Sequence, residues 1–140
     1  MYEYKVTLDR VVDGDTVDVH IDLGFDVVLK SQRVRISGID APESRTRDLV
    51  EKQFGLLAKD VVIAFFETDK PIKLVCKEYD SAGKYGRILG DFVCGEISLA
   101  EYMVTEGYAV RYHGQSKEDV EMKHLENRDK LISDGIITLK

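Results

Sequence analysis

The chain has 140 residues, 44% hydrophobic and 33% charged, enough for one domain with a real core and too short for two. Its 20 Lys and Arg stand against 26 Asp and Glu, a formal charge of −6 that by itself weighs against a partner bound through a phosphate backbone. No apolar run approaches the roughly 20 residues that cross a bilayer, and there are no repeats, low-complexity tracts or linkers.

A first strand is expected near residues 4–12. Val17, Val19, Ile21 and Leu23 then alternate with Asp18, His20 and Asp22, the period of two of a half-buried strand near 16–23. Gly24 reads as a turn, and 26–37 as the return strand of a hairpin, with Arg33 and Arg35 on one face and Val34 and Ile36 on the other. Phe54, Leu57, Ala58, Val61 and Phe65 fall at helical spacing and predict a helix over 54–67. Two short strands near 72–77 and 87–93 flank the turn-forming Ser81-Ala82-Gly83. Ser98 and Glu101 form a capping box that opens a helix over 98–106, and Gly107 is placed to end it. Ser116 with Asp119 opens a last helix over 117–133, running through Met122, Leu125 and Ile132 towards Gly135. Five short strands with a helix after the third fit an α+β domain, residues 1–140, built on a five-stranded OB-type barrel with three helices.

The residues that carry chemistry are few and scattered. They are Asp13-Gly14-Asp15-Thr16, then Arg35 with Ile39-Asp40-Ala41-Pro42-Glu43, then Lys84-Tyr85-Gly86-Arg87. Carboxylates that gather a hard cation, two guanidiniums and a spare carboxylate to handle water are what phosphodiester cleavage needs. Although the chain is acidic overall, Arg33, Arg35, Arg45, Arg47, Lys52, Lys84 and Arg87 concentrate positive charge along this part of it. Taken singly, Asp-Gly-Asp-Thr is a tight turn, Asp40 to Glu43 a strand-ending turn, Arg35 a solvated charge and Tyr85-Gly86-Arg87 a lead-in to a strand. An EF-hand loop is a poor fit to the first cluster, because Val17 takes the third ligand position and no Glu closes a twelve-residue loop. The conjunction of all three clusters is what points to a site.

In this order and at domain-scale spacing the three clusters resemble the staphylococcal nuclease (thermonuclease) family, the likeness running from about Lys5 to Tyr112. The resemblance implies a five-stranded OB barrel and a Ca2+-dependent nuclease acting on DNA, RNA or both. It matches Asp15 and Asp40 to metal carboxylates and Ala41 to a ligand acting through its backbone carbonyl. It matches Arg35, Glu43 and Arg87 to the catalytic residues, and Lys84 and Tyr85 to residues that hold the nucleotide. Tyr112 fits one of two tyrosines that follow the second helix in the best-known member. Ala41 stands where that member has Thr, a change a carbonyl ligand tolerates.

The remaining features have plainer readings. His20, His113 and His124 are dispersed and read as surface histidines, and Tyr102 and Tyr108 as core or core-edge residues. Lys117 to Lys130 mixes both signs and reads as a solvated helical face. Cys76 and Cys94 have no zinc-site spacing and read as buried free thiols. The opening Met1-Tyr2-Glu3-Tyr4-Lys5 contains no apolar leader, so a cytoplasmic location is the expectation, or a secreted one if a leader has been trimmed away; a monomer is expected as well. The rival to an enzyme is a catalytically inactive OB-fold module that binds nucleic acid without cleaving it.

Overall fold

A computed structural model describes residues 2–76 and 88–140. Strand β1 (Tyr2–Asp13) turns through Gly14 and Asp15 into β2 (Thr16–Gly24), which returns as β3 (Val27–Ile36). Gly24, Phe25 and Asp26 all have positive φ at that second turn, the left-handed geometry that suits the twist of a tight hairpin. The β2–β3 register sets Thr16 opposite Arg35, Val17 opposite Val34 and Asp18 opposite Arg33. Alternation therefore sends Val17, Val19, Ile21, Val34 and Ile36 into the core.

After β4 (Ile39–Asp40), helix α1 (Leu49–Phe66) leads to β5 (Ile72–Cys76) and β6 (Ile88–Cys94). Strand β5 pairs with β1, and β6 pairs with β5 antiparallel and with β3 parallel through Val34, Arg35 and Ile36. That last, parallel pairing closes the order β3-β2-β1-β5-β6 into a five-stranded barrel. A short β7 (Ile97–Ser98) extends β6, helix α2 (Leu99–Thr105) follows, β8 (Val110–Arg111) pairs with β4, and helix α3 (Lys117–Ser133) ends the ordered elements. The barrel is filled by Val17, Val34, Leu74 and Phe92, and sealed by Leu99 and Met103 from α2 and by Ala58 and Val62 from α1. Each of the larger side chains contributes about 1.5–3 kcal/mol by leaving water.

The expected elements are present with shifted ends. Helix α1 begins five residues before the expected Phe54, because Asp48 caps it: its Oδ1 accepts from the amides of Val50 (3.0 Å) and Glu51 (3.1 Å). Leu49 and Val50 are exposed, so apolar periodicity starts only where the helix meets the barrel. The other two caps are as expected, with Ser98 accepting from Glu101 N–H and Ser116 from Asp119 N–H. Met122, Leu125 and Ile132 of α3 face solvent; its buried residues are His124 and Leu131. Both cysteines are free, Cys76 buried and Cys94 half-buried. Lys84, Tyr85, Arg87 and the turn Ser81-Ala82-Gly83 lie outside the described residues.

Candidate functional site

Strand register assembles the centre of the site. Because Thr16 faces Arg35 across the β2–β3 ladder, the Arg35 guanidinium falls beside Asp15, its Nη1 3.3 Å from Asp15 Oδ2. The other nitrogen, Nη2, lies 3.8 Å from Asp40 Oδ1. One guanidinium thus spans two carboxylates that are 25 residues apart in sequence. Asp15 is held further by the Ala41 amide, which donates to Oδ2 at 2.9 Å, and by the Thr16 hydroxyl, which donates to Oδ1 at 3.0 Å. The backbone supports the same geometry, with Ile36 N–H donating to the Asp15 carbonyl at 2.8 Å. On the far side of Asp40, His124 Nε2 donates to Oδ2 at 2.8 Å.

Glu43 is aimed by close packing of small residues. Ser44 gives both its amide and its hydroxyl to Asp13 Oδ1, tying the Glu43–Ser44 segment to the turn that carries Asp15. Helix α1 presses on that segment through Gly55, where a Cβ would come within 2.2 Å of the Glu43 carbonyl oxygen. Gly14 meets Ala58 and Ala41 in the same way; a Cβ there would lie 2.7 Å and 2.9 Å from theirs. Gly14, Ala41, Gly55 and Ala58 are therefore small because the turn, the Glu43 segment and α1 share one tight junction.

The electrostatics are those of crowded negative charge. Asp15 is 8% exposed, and burial pushes its carboxyl above the ordinary value although Arg35, the Ala41 amide and the Thr16 hydroxyl pull the other way. The Glu43 carboxyl is also raised, by lost hydration first and then by Asp13, Asp15, Glu51 and Asp40. Its side chain is open to solvent at the cleft mouth, which tempers the first of these causes. Among the described residues the cleft, about 570 Å3, is lined by Asp40, Glu43, Glu51 and Glu121 against Arg35 and Lys117. Tyr112 and Gln115 complete its outer wall.

Of the residues singled out in the sequence, Arg35 meets both Asp15 and Asp40, and Arg35, Asp40, Ala41, Glu43 and Tyr112 line one cleft. Ala41 meets Asp15 through its amide. Among the described residues no three Asp, Glu, His or Cys side chains group closely enough to hold a metal ion on their own. Arg33 does not join the site: its Nε and Nη2 bind Asp18 across the ladder at 2.9 and 3.1 Å. His20 is half-buried and accepts from Ser31 N–H at a bulge in β3. His124 is not a surface histidine: it is 8% exposed and bonded to Asp40. Helical spacing held the missed signal, since Val120, His124, Asn127 and Leu131 form one stripe on α3.

A closed five-stranded barrel with an acidic, arginine-bridged cleft beside β3 and β4 defines the class: an OB-type domain of the nuclease kind. Residues 33–135 match the family model described as staphylococcal nuclease homologue, and the chain belongs to that family. It is 33% identical over 108 residues to the thermonuclease of Staphylococcus hyicus, covering 76% of this chain and 57% of that one. It is 31% identical over 124 residues to the micrococcal nuclease of Shigella flexneri, covering 81% of this chain and 62% of the relative. A probable staphylococcal-like nuclease of rice is 33% identical over 89 residues, 64% of this chain and only 24% of the rice protein. The chain thus spans less than two thirds of the length of each of these relatives.

Proposed function

We propose that this domain is a calcium-dependent nuclease that hydrolyses phosphodiester bonds of DNA, RNA or both. The observation that carries the reading is the Arg35 guanidinium set between Asp15 and Asp40 at the floor of a cleft whose rim holds Glu43. A binding surface for a polyanion has little use for four carboxylates among its lining residues; a site that recruits a cation to meet a phosphate does.

The residues suit a hard cation. Asp15 is buried, and one neighbouring guanidinium does not offset the loss of water from its carboxylate, a deficit that a divalent ion relieves. Asp15, Asp40 and the Ala41 carbonyl are the proposed protein ligands. A set of two carboxylates and one carbonyl leaves positions for water and for substrate phosphate, since calcium takes about 6–8 oxygens. When bound, calcium supplies positive charge against the phosphate oxygens and lowers the cost of deprotonating a nearby water.

The chain's own groups complete the work. Glu43, at the cleft beside Asp40, is placed to orient the attacking water. Arg35 and Arg87 are proposed to hold the phosphate oxygens as negative charge grows on them, the planar fork of each matching two oxygens at once. Lys84, Tyr85 and Tyr112 are proposed to hold the nucleotide. Family membership over residues 33–135 and the Asp13-Gly14-Asp15-Thr16 motif are what support these assignments. Digestion of single-stranded DNA and of RNA by the purified chain, with calcium and with chelator, tests the reading. Cleavage that stops on chelation supports it, and binding without cleavage contradicts it.

A further inference from the structure

Helix α3 docks on the barrel through polar groups as well as apolar ones. Its buried residues are His124 and Leu131, and its other ties include the Asn127 Nδ2 bond to the Ala109 carbonyl at 3.2 Å, a Lys130 Nζ bond to the Thr105 carbonyl at 3.4 Å, an Arg128–Glu51 approach at 3.9 Å and the Arg128 guanidinium 5.5 Å over the Phe54 ring. His124 is the member of this stripe that reaches the site. It lies 84 residues from Asp40 in sequence, is 8% exposed, and its Nε2 stands 2.8 Å from Asp40 Oδ2. The opposite oxygen, Oδ1, faces Arg35. Asp40 sits on a two-residue strand whose ladder partner is Val110–Arg111, and a ladder fixes the backbone without fixing the side-chain rotamer.

We propose that His124 is a positioning residue for Asp40, holding one carboxylate oxygen so that the other is presented to the cation and the substrate. The inference rests on the proposed role of Asp40 as a cation ligand. The physical case is that an ionised carboxylate only accepts hydrogen bonds, and a buried imidazole Nε2–H is a donor of fixed direction. With Oδ2 held, rotation about the Asp40 side chain costs this part-buried hydrogen bond, and Oδ1, 3.8 Å from Arg35 Nη2, is the oxygen left to ligate. Groups that hold metal-binding side chains in this way commonly alter metal affinity or activity by about 10–100-fold when removed. It also makes α3 part of the site: the helix delivers its restraint through one side chain, from the far end of the sequence.

The test is a calorimetric titration of the metal-free protein with Ca2+ alone, without nucleic acid, at a temperature well below the measured Tm of every variant. The variants are His124→Leu, His124→Gln and Asn127→Ala. His124→Leu is expected to weaken calcium binding by about tenfold or more. His124→Gln, whose amide can donate from nearly the same place, is expected to recover most of the loss. Asn127→Ala removes a different α3–barrel hydrogen bond that does not touch Asp40; it is expected to lower Tm and leave calcium affinity unchanged. Unaltered affinity in His124→Leu overturns the inference, as does an equal loss in Asn127→Ala, which would show only that a loosened helix spoils the site. A parent chain that binds no calcium also overturns it. A parent that binds calcium but cleaves nothing contradicts the nuclease reading instead, and the comparison of affinities still decides the role of His124.

Discussion

The backbone of Glu43 lies directly against Gly55, so closely that any Cβ on residue 55 would sit 2.2 Å from the Glu43 carbonyl oxygen and 2.6 Å from the Ser44 amide nitrogen. The colliding atoms are backbone, which cannot rotate away. In an exposed helix Gly→Ala usually stabilises by about 1 kcal/mol through helix propensity. Here the opposite is expected: Gly55→Ala should lower Tm and displace Glu43. A shift of roughly 1 Å in a catalytic group can cost about a hundredfold in rate, so cleavage should fall on that scale. Thermal melting and single-turnover cleavage check this; a stabilised, fully active Gly55→Ala chain would sink the account of how Glu43 is aimed.

Glu43 itself should be held at a cost to stability. Its carboxyl is raised above the ordinary value of 4.5 in the folded chain, so the folded state holds that proton more tightly than the unfolded one. Stability linked to the proton is complete below the unfolded pKa and is lost as pH rises through the folded pKa. At pH 7 the metal-free chain therefore carries an unfavourable charge that Glu43→Gln removes. The variant should melt higher than the parent at pH 7 in metal-free buffer, and the difference should fade below about pH 4, where the parent's Glu43 is protonated in both its folded and unfolded states. A Glu43→Gln chain that melts lower than the parent at pH 7 would contradict the crowded-carboxylate picture.

Arg35 separates an enzyme from a binding relic. A lysine in its place keeps a positive charge near the phosphate but not the forked donors. Loss of one preorganised donor to a developing charge costs about 2.7–4 kcal/mol, on the order of a hundred- to a thousandfold in rate. Arg35→Lys is expected to lose at least about a hundredfold in single-turnover cleavage on that scale while keeping most of its affinity for an uncleaved analogue. Arg87→Lys is expected to behave alike. Equal losses in affinity and rate would assign both arginines to uniform phosphate binding.

Much of the barrel was legible because period-two alternation is a local signal: Val17, Val19 and Ile21 declare their face within six residues. The ends of α1 were not, because Leu49 and Val50 are apolar yet exposed, and the capping carboxylate of Asp48 speaks only through its side chain. The site was partly legible for a similar reason. Asp15, Arg35, Asp40 and Glu43 fall in short runs whose chemistry is evident, and β-register then brings Arg35 to Asp15. His124 was not legible. Its meaning depends on a contact with Asp40 across 84 residues, made by a helix whose more conspicuous apolar residues, Met122, Leu125 and Ile132, face away. Arg33 misled for the converse reason, since only the strand register shows that Asp18 takes it.

The most direct test of the central claim is single-turnover digestion of an end-labelled single-stranded oligonucleotide by the parent chain and by Asp40→Ala, each with calcium and with excess chelator. The account predicts cleavage by the parent in calcium, none in chelator, and a loss of at least about a hundredfold in Asp40→Ala, in keeping with removal of charge stabilisation at a phosphoryl centre. Chelator-insensitive cleavage, or Asp40→Ala cleaving like the parent, would contradict it.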